Sequence, residues 1–239
     1  MTYDALAAGL SVGEVELPLR HHATGRDLRG FIHRGRQLRD VMLGFGPLAA
    51  NHRGLRLPLV GWVVGALEPR VAPVVAIGLA DDLFAGSERG VAAHLRAGRT
   101  TGVLKFVGIP LVGLLATRSA RGALLVGLAA NALNQLDTKP GRALKAYALA
   151  ALPLRAPLLH AVILAPYDLR EMAMLGDSGS NALGALLGLS SVKRFAGRGQ
   201  WLAIGALATL NLLGELTSVG RAIERTPVLR DLDAAGRQA

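Results

Sequence analysis

Four aspartates set between long apolar runs carry the most obvious chemistry in this chain: Asp81 and Asp82, Asp137, and Asp177. A carboxylate held among apolar residues needs a cation, a metal or several hydrogen-bond donors beside it, because burying it unpaired is costly. Asp177 is the sharpest case. It lies in Met174-Leu175-Gly176-Asp177-Ser178-Gly179-Ser180, where two glycines let backbone amides approach an anion closely, and a helical apolar pattern resumes at Leu183. Lys105 and Lys139 lie nearby in sequence. Carboxylates that hold a divalent metal, with a lysine as a further point charge, are the equipment for handling a diphosphate. Taken singly, each aspartate is better read as a helix cap than as a catalyst. Their position relative to the apolar blocks decides between the two.

The blocks that must position them run from Leu59 to Ala80, broken at Glu68-Pro69-Arg70, then Val103 to Ala116, Ala123 to Leu136 and Ala143 to Ala165, broken at Pro153 and Pro157. Ala182 to Val192 and Trp201 to Leu216 complete the set. Hydrophobic residues make up 51% of the 239 and aromatics only 4%, with a net charge of +10, so Leu, Ala, Val and Gly runs alternate with arginine-rich turns. That alternation suits a polytopic membrane protein. A basic nucleic-acid binder is the rival reading, but stacking aromatics are few and the arginines are scattered among apolar blocks, so no nucleic-acid partner is expected. Most blocks are shorter than the roughly 20 residues that cross a bilayer, which implies short, tilted or broken helices. Without cysteine there are no disulfides and no thiolate metal sites. The first ten residues carry Asp4 and no basic cluster, unlike a signal peptide.

If each block or half-block crosses, one side holds residues 1–58, 81–102, 137–145, 167–178 and 217–239, with 19 of the 27 lysines and arginines. The opposite side holds Arg70, Arg118, Arg121, Arg155, Lys193, Arg194 and Arg198. The imbalance assigns the first side to the cytoplasm. All four aspartates fall on it. The basic stretch from Arg20 to Asp40, with His21, His22 and His33, reads as a membrane-surface segment, or equally as a solvated helix, within an N-terminal region 1–50. Residues 221–239 read as an amphipathic cytoplasmic tail. Trp201 and Tyr167 are candidate interfacial anchors, His160 a packed core histidine, and Gly184 and Gly188 a close-packing helix face.

Four segments then resemble one family. Gly78-Leu79-Ala80-Asp81-Asp82-Leu83-Phe84 looks like the paired-aspartate motif of the polyprenyl-phosphate N-acetylhexosamine-1-phosphate transferases. Asn131-Ala132-Leu133-Asn134-Gln135-Leu136-Asp137 is similar to its NxxNxxD motif, Met174 to Ser180 to its MGDxGS motif, and His52-Arg53-Gly54-Leu55-Arg56-Leu57-Pro58-Leu59-Val60-Gly61 to its basic turn. The order and spacing match over residues 51–230.

The resemblance implies an all-α polytopic membrane bundle, a transferase domain over 51–220, and a site on the cytoplasmic face of the cell membrane. It implies Mg²⁺-dependent transfer of a sugar-1-phosphate from a UDP-sugar to polyprenyl phosphate, releasing UMP, in envelope glycan or peptidoglycan precursor synthesis. Asp81, Asp82 and Asp177 would be catalytic, with Asp177 and Asp82 on the metal. Arg53, Lys105, Asn131, Asn134 and Asp137 would bind substrate. Membrane lipids and a second copy of the chain are the other implied partners. The chain departs from the pattern where Thr138-Lys139-Pro140-Gly141-Arg142 follows Asp137, where Trp62 replaces a glycine, and where no histidine follows His160. Those departures define the alternative, a catalytically inactive membrane relative that binds lipid phosphate or an envelope-assembly partner.

Overall fold

The computed structural model describes residues 27–51, 53–84, 100–217 and 219–237. His21, His22 and the other residues of the N-terminal segment before Asp27 lie outside the described residues. Among the described residues there are eleven α-helices, one 3-10 turn and one two-stranded sheet, so the protein is all-α. It divides into two compact units, Met1–Gly46 and Pro47–Ala239.

In the first unit, helix α1 (Leu28–Phe45) begins at Asp27, whose Oδ1 accepts a hydrogen bond from the Gly30 N–H at 2.9 Å. This side chain satisfies one of the free donors of the first turn. Leu28, Ile32 and Val41 along the helix are exposed.

The second unit opens with a hairpin, β1 (Leu48–Ala50) paired antiparallel with β2 (Arg56–Pro58). Asn51 closes its loop by accepting from the Arg53 and Leu55 N–H groups at 2.8 and 2.9 Å. The first long apolar block then breaks where its proline demands. Helix α2 (Trp62–Leu67) ends, a 3-10 turn spans Pro69–Val71, and α3 (Ala72–Phe84) follows. After α4 (Thr100–Thr117) and α5 (Ala120–Leu136), the block with two prolines separates into α6 (Arg142–Leu154) and α7 (Leu159–Asp168). His160 is buried there, with Nδ1 3.3 Å from the Pro157 carbonyl.

Within the second unit, helix α8 (Gly176–Arg194) is the element that α2, α3, α5 and α6 pack against. Every residue from Ser178 to Gly188 is buried. A Cβ on Gly184 would lie 2.4 Å from the Ala129 carbonyl oxygen of α5, and one on Gly188 2.5 Å from the Val126 Cα. The small-residue face thus brings the two helix backbones together. Helices α9 (Arg198–Leu216), α10 (Val219–Arg225) and α11 (Pro227–Ala234) end the chain.

Large apolar side chains remain outside. Phe106, Val107, Leu111, Leu114 and Leu115 of α4 and Trp201, Leu202, Leu212, Leu213 and Leu216 of α9 are exposed. Among the described residues no single helix is long and apolar enough to cross a membrane. The pair Arg198–Leu216 and Val219–Arg225, bent by 90°, passes that test jointly.

Candidate functional site

The site is built at the N-terminal turn of α8, and three other elements reach it. The segment before α8 is held by the hairpin's continuation: the Met174 N–H donates to the Pro58 carbonyl and the Val60 N–H to the Met174 carbonyl, both at 3.0 Å. Helix α3 comes close enough that a Cβ on Gly78 would sit 2.5 Å from the Asp177 carbonyl oxygen. Gly78 therefore sets the approach that delivers the next turn of α3, with Asp81 and Asp82, to the start of α8.

Asp82 takes up that position as a cap. Its Oδ1 accepts from the Asp177 N–H at 2.8 Å and its Oδ2 from the Ser178 N–H at 3.0 Å. These are first-turn donors that the helix cannot satisfy internally, and the positive end of the helix dipole favours an anion there. Burial, with the neighbouring Asp177 charge, still pushes the Asp82 carboxyl up to about 7 against those two hydrogen bonds.

The charged centre is a three-residue bridge. The Lys105 ammonium donates to Asp81 Oδ2 at 2.9 Å and to Asp177 Oδ2. Asp81 is 4% exposed and Lys105 17%, so solvent screens the pair with Asp81 little. Burial raises the Asp177 carboxyl, and Lys105 opposes that rise. The sequence expectation placed Asp82 beside Asp177 on a metal. In the structure both Asp82 oxygens are engaged by α8 backbone, and the cation position lies between Asp81 and Asp177.

Among the described residues no three His, Cys, Asp or Glu side chains gather closely enough to hold a metal. Mg²⁺ in phosphoryl-transfer sites commonly takes only one or two carboxylates, completing its shell with water and substrate phosphate. The hard oxygen donors of Asp81 and Asp177 fit that requirement in kind.

Both expected asparagines lie on α5, and each has an internal partner. Asn134 Oδ1 accepts from the Ser180 hydroxyl at 2.8 Å, and the Asn131 amide donates to Asn211 Oδ1 of α9. Asp137 is the C-cap residue of α5. Burial, then the charges of Asp168, Asp177 and Asp82, hold its carboxyl well above the usual range. Arg53 stands apart and reaches Glu171 at 3.3 Å, with more than half of its side chain exposed.

Asp81, Asp82, Lys105, Asn131, Asn134, Asp137 and Asp177 all line one cavity of about 1560 Å³; Arg53 does not, and Arg56 does. Its wall is graded. Along α5 the lining passes from Leu124 and Leu128 to Asn131, Asn134 and Asp137, and along α4 from Pro110, Ile109 and Phe106 to Lys105. One end is apolar and the other carries the charges.

Sequence reading missed Asp168, which is 3% exposed and accepts from the Gly141 N–H at 2.7 Å. Burial pushes its carboxyl up to about 6 in spite of that bond. The signal was available: Asp168 ends an apolar run, as Asp177 interrupts one. Also missed was the clasp from the C-terminal helices. Arg142 donates through Nε and Nη2 to Asp233 at 2.9 and 2.7 Å, Arg237 reaches the Pro140 carbonyl at 3.0 Å, and Lys139 pairs with Glu224 at 2.6 Å. The residues after Asp137, where the family pattern lapses, are thereby tied to α10 and α11. Nothing in the spacing of Arg142 and Asp233 announces a pair 91 residues apart.

Comparison with protein-family models, characterised proteins and solved structures returns no match.

Proposed function

We propose that the chain is an integral membrane glycosyl-1-phosphate transferase that moves a sugar-1-phosphate from a UDP-sugar to polyprenyl phosphate and releases UMP. The observation that carries this reading is the Lys105 bridge between Asp81 and Asp177, at the polar end of a cavity whose other end is apolar. A diphosphate fits the charged end, and the first units of a prenyl chain fit between α4 and α5. Membrane residence is supported by the exposed leucines, phenylalanine and valine of α4 and the exposed leucines of α9, a surface that water would not tolerate cheaply. Helix α9, at 19 residues, is roughly 28 Å long, close to the hydrocarbon thickness of a bilayer. The charge imbalance between loops supports a cytoplasmic orientation for the site.

In this mechanism an oxygen of the lipid phosphate attacks the sugar-bearing phosphorus, the bond to the bridging oxygen breaks, and that oxygen leaves with UMP. Mg²⁺, held by Asp177 and Asp81, would offset the charge on the diphosphate oxygens. Lys105 shifts from the carboxylates to the phosphoryl group. Asp82 holds the first turn of α8 so that Asp177 keeps its position, and Asp137 faces the nucleotide end.

The internal engagement of Asn131 and Asn134 favours the second reading, a relative that binds lipid phosphate without turnover. The deciding assay is UMP release from several UDP-sugars with polyprenyl phosphate in detergent. Metal-dependent release that Asp177→Ala abolishes supports the transferase. No release with any sugar assigns the chain to binding, and release that survives Asp177→Ala removes Asp177 from the mechanism.

A further inference from the structure

A second cavity, of about 380 Å³, lies at the other end of α8. With a rise of 1.5 Å per residue, Asp177 and Arg194 are roughly 26 Å apart along the helix, about one hydrocarbon thickness. Four cationic side chains from three parts of the chain line this cavity: Arg70 of the 3-10 turn, Arg155 after α6, and Lys193 and Arg194 at the end of α8. Among the described residues no carboxylate lines it.

Local pairing takes up Arg70 but not the whole of this charge. Arg70 donates to Glu68 at 2.7 and 2.8 Å, and Arg194 Nε donates to the Pro153 carbonyl at 3.3 Å. Arg155 and Lys193 have no ion-pair partner among the described residues. Lys193 and Arg194 also face the negative end of the α8 dipole, which accounts for two cations at a helix end but not for Arg70 or Arg155. Arg155 has φ 54°, the left-handed conformation that glycine or asparagine adopts more cheaply at a helix end. The loop-charge pattern adds to this. On the side where membrane proteins keep few basic residues this chain has seven, and four of them meet at one cavity.

We propose that this cavity binds a phosphate group, that of an anionic lipid headgroup or a free phosphate. Planar guanidinium groups from separate elements match the tetrahedral oxygens of a phosphate, and each such bond is charge-assisted. Leu154, Leu186 and Leu189 in the lining supply an apolar flank, which a lipid would use and inorganic phosphate would not. The site stands whether or not the α8 N-terminal site turns over.

The test uses the full chain in a zwitterionic detergent, with melting temperature followed during titration with phosphatidylglycerol, with phosphatidylcholine or with inorganic phosphate. The expected result is a rise with phosphatidylglycerol, absent with phosphatidylcholine, whose apparent affinity falls about tenfold or more in Arg155→Gln/Lys193→Gln. A rise with inorganic phosphate that the same variant loses supports the site with the free anion as ligand. Lys193→Gln alone, on an exposed side chain, provides the comparison if the double variant folds poorly, and Lys105→Ala separates binding at the α8 N-terminus. No rise with either anion, or a rise that both cavity variants retain, overturns the proposal.

Discussion

Asp82 and Asp177 meet through backbone: the Asp82 carboxylate accepts the Asp177 N–H at 2.8 Å while the Asp177 side chain turns to Lys105. One aspartate holds the turn and the next is left available for chemistry. Replacing Asp82 by alanine should cost about 1–2 kcal/mol, the usual loss for a cap, and Asp82→Asn, which keeps an acceptor, should cost less. Thermal unfolding of both variants measures the difference; equal losses would deny Asp82 its capping role.

The same carboxyl sets a pH dependence. Its folded pKa, about 7, lies above the ordinary aspartate value, so the folded state holds a proton that the unfolded chain has released. Its contribution to stability is full below the unfolded pKa and is lost as pH rises through about 7. Melting temperature should therefore fall between pH 5 and 8, with a shallower slope in Asp82→Asn. An unchanged slope in that variant assigns the effect to another group.

Lys105 is the only described cation bridging Asp81 and Asp177. Lys105→Ala should destabilise the protein by roughly 2 kcal/mol, below the value for a fully buried pair because Lys105 keeps some exposure. Millimolar Mg²⁺ should raise the melting temperature of the variant more than that of the wild type, since a divalent ion can replace the ammonium between the carboxylates. A variant that ignores Mg²⁺ would argue against a metal at this position.

The Arg142 clasp predicts the opposite pH response. Burial alone would raise the Asp233 carboxyl, but the hydrogen bond and charge of Arg142, with Arg237, hold it below the ordinary value. That contribution is present above the unfolded aspartate pKa and disappears as pH falls through the lower folded value. Arg142→Met should cost about 2–3 kcal/mol by leaving buried Asp233 with Arg237 alone, at 3.1 Å, and Arg142→Met/Asp233→Leu should recover part of the loss. Additive losses in the double variant would show that the two side chains do not act as a pair.

Gly78→Val should displace the start of α8, because a Cβ there falls 2.5 Å from the Asp177 carbonyl. A loss of 1–3 kcal/mol, roughly that of overpacking, is expected together with loss of any turnover. Full turnover in the variant would show that the approach of α3 to α8 is not what positions the aspartates.

Much of this was legible before the structure. The breaks at Pro69 and around Pro157 follow from proline's missing N–H and its steric demands, whereas Pro153 is carried inside α6, and the α-helical class is the one the family resemblance implied. The convergence of Asp81, Asp82, Asp137 and Asp177 on one cavity was expected from the common side of the apolar blocks on which all four lie. Local patterns do not encode which carboxylate caps and which stays available, because Asp81 and Asp82 are adjacent and chemically identical. The three-dimensional register of α3 on α8 assigns them. The Arg142–Asp233 pair and the Asn131–Asn211 contact escaped for a related reason: the distant partners, Asp233 and Asn211, are single polar residues with no motif around them.

The Lys105 bridge also sets an order of assembly during synthesis. Lys105 follows Asp81 by 24 residues and precedes Asp177 by 72. At about 5–20 residues per second, the first pair can form roughly 4–14 s before the last carboxylate exists. Until then, of the two carboxylates that the lysine bridges, only Asp81 exists. Asp177 arrives last, on the helix whose buried face lies at the centre of the core, so the complete bridge can form only once that helix has been made.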